Sequence, residues 1–326
     1  MNIAFKNITP LSFEYNRKED SIWGFNTTLV SPGVYKVIAS SGSGKSTLIS
    51  ILSGLRLDYA GHIEFDQKSI MDFTPNDWSA LRSQKISLVY QDLRLFPNLT
   101  VRENILLSQE ITGADSKNVM AELEGFAKEM NISNQLDKLV KHLSFGQMQR
   151  VAIIRAMMRN YEWLILDEPF SHLDAIQKRK LIQELKELLQ EMDTTVIFVT
   201  HDLDDALWLT DSLVVLQKGK ITQKGNSKAL CEQPKSKYVA RLFSSINALP
   251  DREQAYIRPA DIRIRTRGGF VGHVVDQRFL VHYNTLQVRL REGGQLWEVD
   301  DPGRKYQIGD RVYLHIQEEK VLVLKS

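Results

Sequence analysis

The stretch Ser40-Ser41-Gly42-Ser43-Gly44-Lys45-Ser46-Thr47 gathers residue types that suit one task, holding a phosphate. Glycines at 42 and 44 let the backbone curl until successive N–H groups converge on an anion, and a helix starting there adds its positive end. Lys45 would then reach the β- and γ-oxygens, and the Ser46 hydroxyl would ligate Mg²⁺. The pattern is the tail of G-x-x-x-x-G-K-[ST]; Ala39 stands where its first glycine would be, a mild replacement that costs little unless the residue needs a positive φ. A second cluster lies at Leu164-Ile165-Leu166-Asp167-Glu168, an apolar strand ending in adjacent carboxylates. Alternation along a strand points the two in different directions, Asp167 towards a magnesium ion and Glu168 towards an attacking water, with Pro169 stiffening the exit. A third is Leu143-Ser144-Phe145-Gly146-Gln147 before a strongly apolar helix, where Ser144 and the free first-turn amides would make another anion site.

These residues need a frame. Val34 to Ala39 reads as a strand feeding the phosphate loop, and Leu48, Ile51 and Leu52 mark the helix that follows it. Trp163–Leu166 and Thr195–Val199 are continuous apolar runs, as parallel strands buried on both faces require. Between them runs a helix with Asp174 as N-cap and Leu181, Leu185, Leu188 and Met192 on one stripe. Strands alternating with helices predict an α/β core, and residues from about 92 to 142 an inserted helical lobe. From Ile257 onward short alternating segments (Val274-Val275, Leu286–Leu290, Val312–Ile316, Val321–Leu324) are separated by Gly268-Gly269, Gly293-Gly294, Asp301-Pro302-Gly303 and Gly309-Asp310, which predicts a small all-β, barrel-like domain.

Composition narrows the classes. With 326 residues the chain suits about two domains, and a net charge of +2 gives no field strong enough to suggest nucleic acid. Its lone Cys231 excludes an internal disulfide framework and reads as a small buried or half-buried residue. The opening MNIAFKNITP has no basic-then-apolar secretion pattern, and no apolar run approaches the ~18 residues of a membrane helix. The chain therefore reads as soluble, with any membrane role reached through a partner. The histidines other than His201 show no metal-ligand spacing, so a histidine metal cluster is not expected.

Taken together, the ordered segments resemble the ATP-binding cassette (ABC) ATPases over about residues 1 to 240. Leu143–Gln147 resembles the signature motif, usually Leu-Ser-Gly-Gly-Gln, with Phe145 in place of the first glycine; Asp167 and Glu168 match the end of the Walker B strand. Tyr90-Gln91-Asp92 resembles the Q-loop, Ser171-His172-Leu173-Asp174 the D-loop, and Thr200-His201-Asp202 the switch histidine. Tyr15 sits where an aromatic stacks on adenine. The resemblance implies a P-loop NTPase core, ATP and Mg²⁺ as cofactors, and hydrolysis of ATP by Lys45, Gln91, Glu168 and His201. It assigns Ser46, Gln91 and Asp167 to the metal. To the nucleotide it assigns Tyr15, Ser40–Thr47, Ser144, Gly146 and Gln147. Since every group that does chemistry in the family is present, an active ATPase is expected despite Ala39 and Phe145.

The family's signature and phosphate loop close on nucleotide only between two cassettes, so this single cassette implies a head-to-tail dimer, most simply of two identical copies. Leu95–Ile105 resembles the segment after the Q-loop in bacterial importer ATPases. Tyr256–Arg263 and Gly309–Leu314 resemble parts of the TOBE domain, an OB-like β-module, here expected over residues 257–326 after a linker at 241–256. An OB-like fold also suits nucleic acid, but the region lacks a dense basic-aromatic stripe. The resemblance thus implies the ATPase of a binding-protein-dependent importer, peripheral on the cytoplasmic face of a bacterial inner membrane. Its partners would be two transmembrane permease subunits and, through them, an extracytoplasmic solute-binding protein, with no nucleic acid. An export or lipoprotein-release ATPase is the alternative, disfavoured by the TOBE-like tail; a non-transport ABC protein would carry tandem cassettes or a long coiled coil. The absence of an Asn-Lys-x-Asp motif excludes a G-protein. The substrate class stays open among ferric iron, polyamine, molybdate, sulfate or another solute.

Overall fold

The computed structural model describes residues 1–10, 26–31, 33–38, 45–112, 116–159, 161–190, 192, 194–200, 202, 207, 212–217 and 220–324. They form two compact units, Met1–Ser227 and Lys228–Ser326.

The first unit is built on a six-stranded sheet of order β10-β9-β3-β8-β7-β6, comprising β3 (Val34–Ile38), β6 (Ile86–Val89), β7 (Trp163–Asp167), β8 (Thr195–Thr200), β9 (Ser212–Gln217) and β10 (Lys220–Asn226). Its pairs are parallel apart from β9–β10. Every residue of β7 and β8 is buried, which is why both read as unbroken apolar runs. Period-two alternation then divides them between two cores. Trp163, Ile165, Ile197 and Val199 join α1 (Lys45–Leu52), Trp78 of α2 (Pro75–Ala80) and a four-stranded antiparallel sheet of order β2-β1-β4-β5 (β1, Ile3–Pro10; β2, Asn26–Leu29; β4, Tyr59–Phe65; β5, Lys68–Ser69). Leu164, Leu166, Val196 and Phe198 face the other way, against α5 (Phe145–Met157) and α6 (Ala175–Gln190). Position 167 follows the odd-numbered series, so the last residue of β7 faces α1. Full burial of each Leu or Ile in these layers is worth roughly 1.5–3 kcal/mol, which fixes the strand ends on which the site stands.

The expected stripe on α6 is present: Leu181, Leu185 and Leu188 are buried, Met192 packs beside them, and Asp174 Oδ1 accepts the Ile176 and Gln177 amides at 2.9 Å. In the lobe, α3 (Val101–Thr112) and α4 (Ser116–Glu129) supply Val101, Ile105, Leu123 and Ala127 to the α5 core, whereas residues 91–100 form turns and irregular chain.

The second unit carries an antiparallel five-stranded sheet of order β13-β17-β14-β15-β16 and a three-stranded one of order β11-β12-β18. The strands are β11 (Asn247–Ala248), β12 (Ala255–Ile257), β13 (Ile262–Arg265), β14 (Phe270–Phe279), β15 (Asn284–Leu290), β16 (Leu296–Asp301), β17 (Arg311–Ile316) and β18 (Leu322–Val323). Residues 241–256, expected as a linker, contain β11 and most of β12, and β16 is a strand that hydropathy did not mark.

Candidate active site

At the end of β7 and the start of α1, four side chains meet. Asp167 is only 4% exposed, and the Ser46 hydroxyl donates to its carboxylate. Beside it the Lys45 ammonium, itself buried, lies 3.6 Å from Glu168 Oε1. Burial is the main reason that the Asp167 carboxyl is pushed up to about 6; Glu168 and Asp92 add to the shift, while Ser46 and Lys45 oppose it. Its Oδ1 atom is buried without a hydrogen-bond partner. An orphaned buried carboxylate oxygen next to a hydroxyl is a donor set suited to a hard divalent cation, so Ser46 and Asp167 fit magnesium.

Glu168 does not continue the strand. Its φ is 45°, in the left-handed region, and it is fixed by its N–H donating to Val199 O at 2.9 Å and its carbonyl accepting from Ser171 N at 3.1 Å. The turn, not strand alternation, therefore aims the carboxylate at Lys45. His172, four residues on, is also left-handed at φ 65°. Non-glycine residues in this region cost on the order of 1–3 kcal/mol each and persist only where their surroundings over-determine them.

Ser46 and Asp167 line a cleft of about 500 Å³ together with Tyr90, Gln91, Phe145 and His172. Gln91 stands in the turn after β6. Leu93 and Arg94 continue that turn with φ of 58° and 46°, and Arg155 near the end of α5 donates to both their carbonyls at 2.7 Å. The Arg94 guanidinium lies 3.7 Å from the centre of the Tyr90 ring.

At the start of α5, Ser144 is the N-cap. Its hydroxyl accepts the Gln147 amide at 3.3 Å, and Gln147 Oε1 accepts the Ser144 amide at 3.0 Å. The expected anion site is thus modified, because both side chains are engaged in capping, and the amides of Phe145 and Gly146 are the ones without a partner four residues back. Gly146 is close-packed: a Cβ there would stand 3.2 Å from Leu173 Cδ2 and from Gln177 Oε1.

The structure therefore gathers Lys45, Ser46, Gln91, Asp167 and Glu168, with Thr47 half-buried on α1. Ser144, Gly146 and Gln147 stand at the head of α5, which reaches the cleft through Phe145. Tyr15, Ser40, Ser41, Gly42, Ser43, Gly44 and His201 lie outside the described residues. Sequence reasoning did not single out Arg94 or the inward placement of His172. Arg94 follows Gln91 in the same turn, so its one signal was proximity in sequence.

Comparison with known proteins agrees with this geometry. Residues 24–171 match the ABC transporter family and residues 255–324 match the TOBE domain. The spermidine/putrescine import ATP-binding protein PotA of Bacillus cereus is 31% identical over 301 residues, covering 88% of this chain and 89% of that protein. This chain belongs to the ABC transporter ATP-binding proteins. The Fe(3+) ions import ATP-binding protein FbpC of Brucella melitensis is likewise 31% identical, over 303 residues, with 83% of this chain and 84% of that one covered. Among solved structures, a dimeric form of the bacterial ABC transporter cassette MJ0796 superposes with a TM-score of 0.60 at 27% identity, covering 69% of this chain and 98% of the cassette. A post-hydrolysis state of the same cassette bound to ADP and Pi gives 0.59 at the same identity and coverage. This ABC protein is thus an ATP-binding transport ATPase, an α/β cassette followed by an all-β TOBE domain.

Proposed function

We propose that this ABC ATPase is the nucleotide-binding subunit of a binding-protein-dependent importer, in which ATP-driven closure of two cassettes moves a separate permease. The observation that carries the chemistry is the pairing of buried Asp167 with Ser46 beside the Lys45–Glu168 contact, opening on the cleft that holds Gln91. Ser46, Asp167 and Gln91 would hold Mg²⁺, which when bound neutralises charge developing on the phosphoryl oxygens. Lys45 orients the β- and γ-phosphates. Glu168, 3.6 Å from that ammonium, would take a proton from the attacking water. Ser40–Gly44 would cradle the phosphates, Tyr15 would stack on adenine, and His201 would meet the γ-phosphate. The start of α5, with Ser144, Gly146 and Gln147, would present its first-turn amides to the nucleotide of a second copy.

Support for import comes from the names of PotA and FbpC and from the TOBE domain that accompanies the cassette. None of the described helices is long and apolar enough to cross a membrane, which agrees with a peripheral subunit on the cytoplasmic face that works through two permease chains and, beyond them, a solute-binding protein.

Light scattering on the eluting Glu168→Gln protein tests this reading. Mg-ATP should convert it from monomer to dimer, and Lys45→Ala in the same background should abolish the shift. A protein that binds Mg-ATP and stays monomeric would overturn head-to-tail closure between identical copies.

A further inference from the structure

Phe145 stands where the family's usual signature has a glycine, and the structure shows where its ring goes. It enters the cleft of its own chain and meets the His172 imidazole edge-on, with ring centres 5.4 Å apart and planes at 81°. His172 belongs to the turn that begins at Glu168, whose carbonyl accepts from Ser171. Both Glu168 and His172 are non-glycine residues in the left-handed region, so this turn needs outside support to keep its shape. Two contacts from the head of α5 supply it. Gln149, buried, donates from Nε2 to Ser171 O at 3.1 Å, and the Phe145 ring covers the imidazole of the next residue.

We propose that Phe145 and His172 are a positioning pair, which ties the first turn of α5 to the turn of Glu168 so that the Glu168 carboxylate keeps its place beside Lys45 and Asp167. The catalytic part of this inference rests on the ATPase reading above. A glycine at 145 cannot make the contact, so the pair is a property of this sequence. It also explains how a bulky residue is tolerated at the signature turn: the ring packs within its own chain, against the residue that follows Ser171.

The test uses the full-length chain and substitutions chosen to spare folding. Phe145→Gly places the family's usual residue at 145, and His172→Gly gives the left-handed position to the residue that adopts it most readily. Each single variant should lower kcat for ATP about tenfold, with KM changed by no more than about twofold, because the site loses orientation and not affinity. The double variant should be no slower than either single one, and the exchange Phe145→His with His172→Phe, which rebuilds an edge-on pair, should recover most of the rate. In parallel, amide hydrogen exchange at residues 170–173 of the nucleotide-free protein should quicken roughly tenfold in Phe145→Gly. Unchanged exchange overturns the pair outright. Faster exchange with unchanged kcat, or losses that multiply to about a hundredfold in the double variant, overturn its role in catalysis. If the wild-type protein hydrolyses no ATP, the ATPase reading fails, and the exchange measurement still decides whether Phe145 holds the turn.

Discussion

Asp167 keeps 4% of its surface exposed, and that burial governs its titration more than its charged neighbours do. The carboxyl rises from its ordinary 3.8 to about 6. Because the folded value is the higher one, the unfolded chain gives up this proton more readily, and the ionised carboxylate burdens the fold at neutral pH. The burden is absent below about pH 4, grows between pH 4 and 6, and amounts to about 3 kcal/mol above that window. Asp167→Asn in the metal-free protein should therefore be more stable than the wild type at pH 7.5, by up to about 3 kcal/mol, and equal to it at pH 3.5. Urea unfolding at pH 7.5, 5 and 3.5 reads this directly, and a variant that is less stable at pH 7.5 would refute the assignment. Such a gain from removing a buried charge is what a site kept for a ligand, and not for stability, should show. The identities of these groups were legible in the sequence, since Lys45, Ser46, Asp167 and Glu168 stand in recognisable order. The left-handed backbone of Glu168 and His172 was not, because neither is glycine and only the contacts of the folded turn hold them there.

Elements were legible in proportion to how plainly burial wrote itself into their spacing. The runs Trp163–Leu166 and Thr195–Val199 are apolar throughout because both faces of β7 and β8 are covered, and they were read correctly. β16 was missed because its alternation, Trp297-Glu298-Val299-Asp300, is short and is masked at the next inward position by Asp301, which is buried with its Oδ2 accepting the Lys305 and Tyr306 amides. The loop between the Gln91 turn and α3 shows the same masking. Its organiser is Asn104, fully buried on α3, whose Oδ1 accepts the Phe96 amide at 2.8 Å and whose Nδ2 donates to Phe96 O and Thr100 O at 3.0 and 2.9 Å. A lone asparagine inside a helix gives no sequence signal for such a role. Asn104→Ala would remove the hydrogen bonds that hold the Phe96 amide and carbonyl and leave a gap at a fully buried position, and it should cost about 1–3 kcal/mol. Amide exchange at 95–100 should quicken while the β7 amides hardly change. An equal loss of protection in both places would mean that Asn104 supports the whole core and not its loop.

At the scale of the molecule, each compact unit has a core of its own, so damage to the second unit should be separable from nucleotide binding in the first. Trp297 on β16 is the residue to use. It is 1% exposed, its Nε1–H donates to Ala248 O at 3.1 Å, and its ring lies 4.9 Å from that of Phe270. Truncation to alanine leaves a cavity and an unpaired carbonyl, a loss of roughly 3–5 kcal/mol out of the 5–15 kcal/mol that holds a typical domain. For a domain of this size, each kcal/mol moves the midpoint by about 4–8 °C, so a transition lowered by at least ~12 °C is expected. Scanning calorimetry with and without Mg-ATP separates the two units. Nucleotide should raise the transition of the cassette in the wild type and in Trp297→Ala alike, because Lys45, Ser46 and Asp167 all belong to the first unit, while the weakened transition should ignore it. A single transition that falls in Trp297→Ala and loses its response to Mg-ATP would show instead that the β domain completes the fold of the cassette.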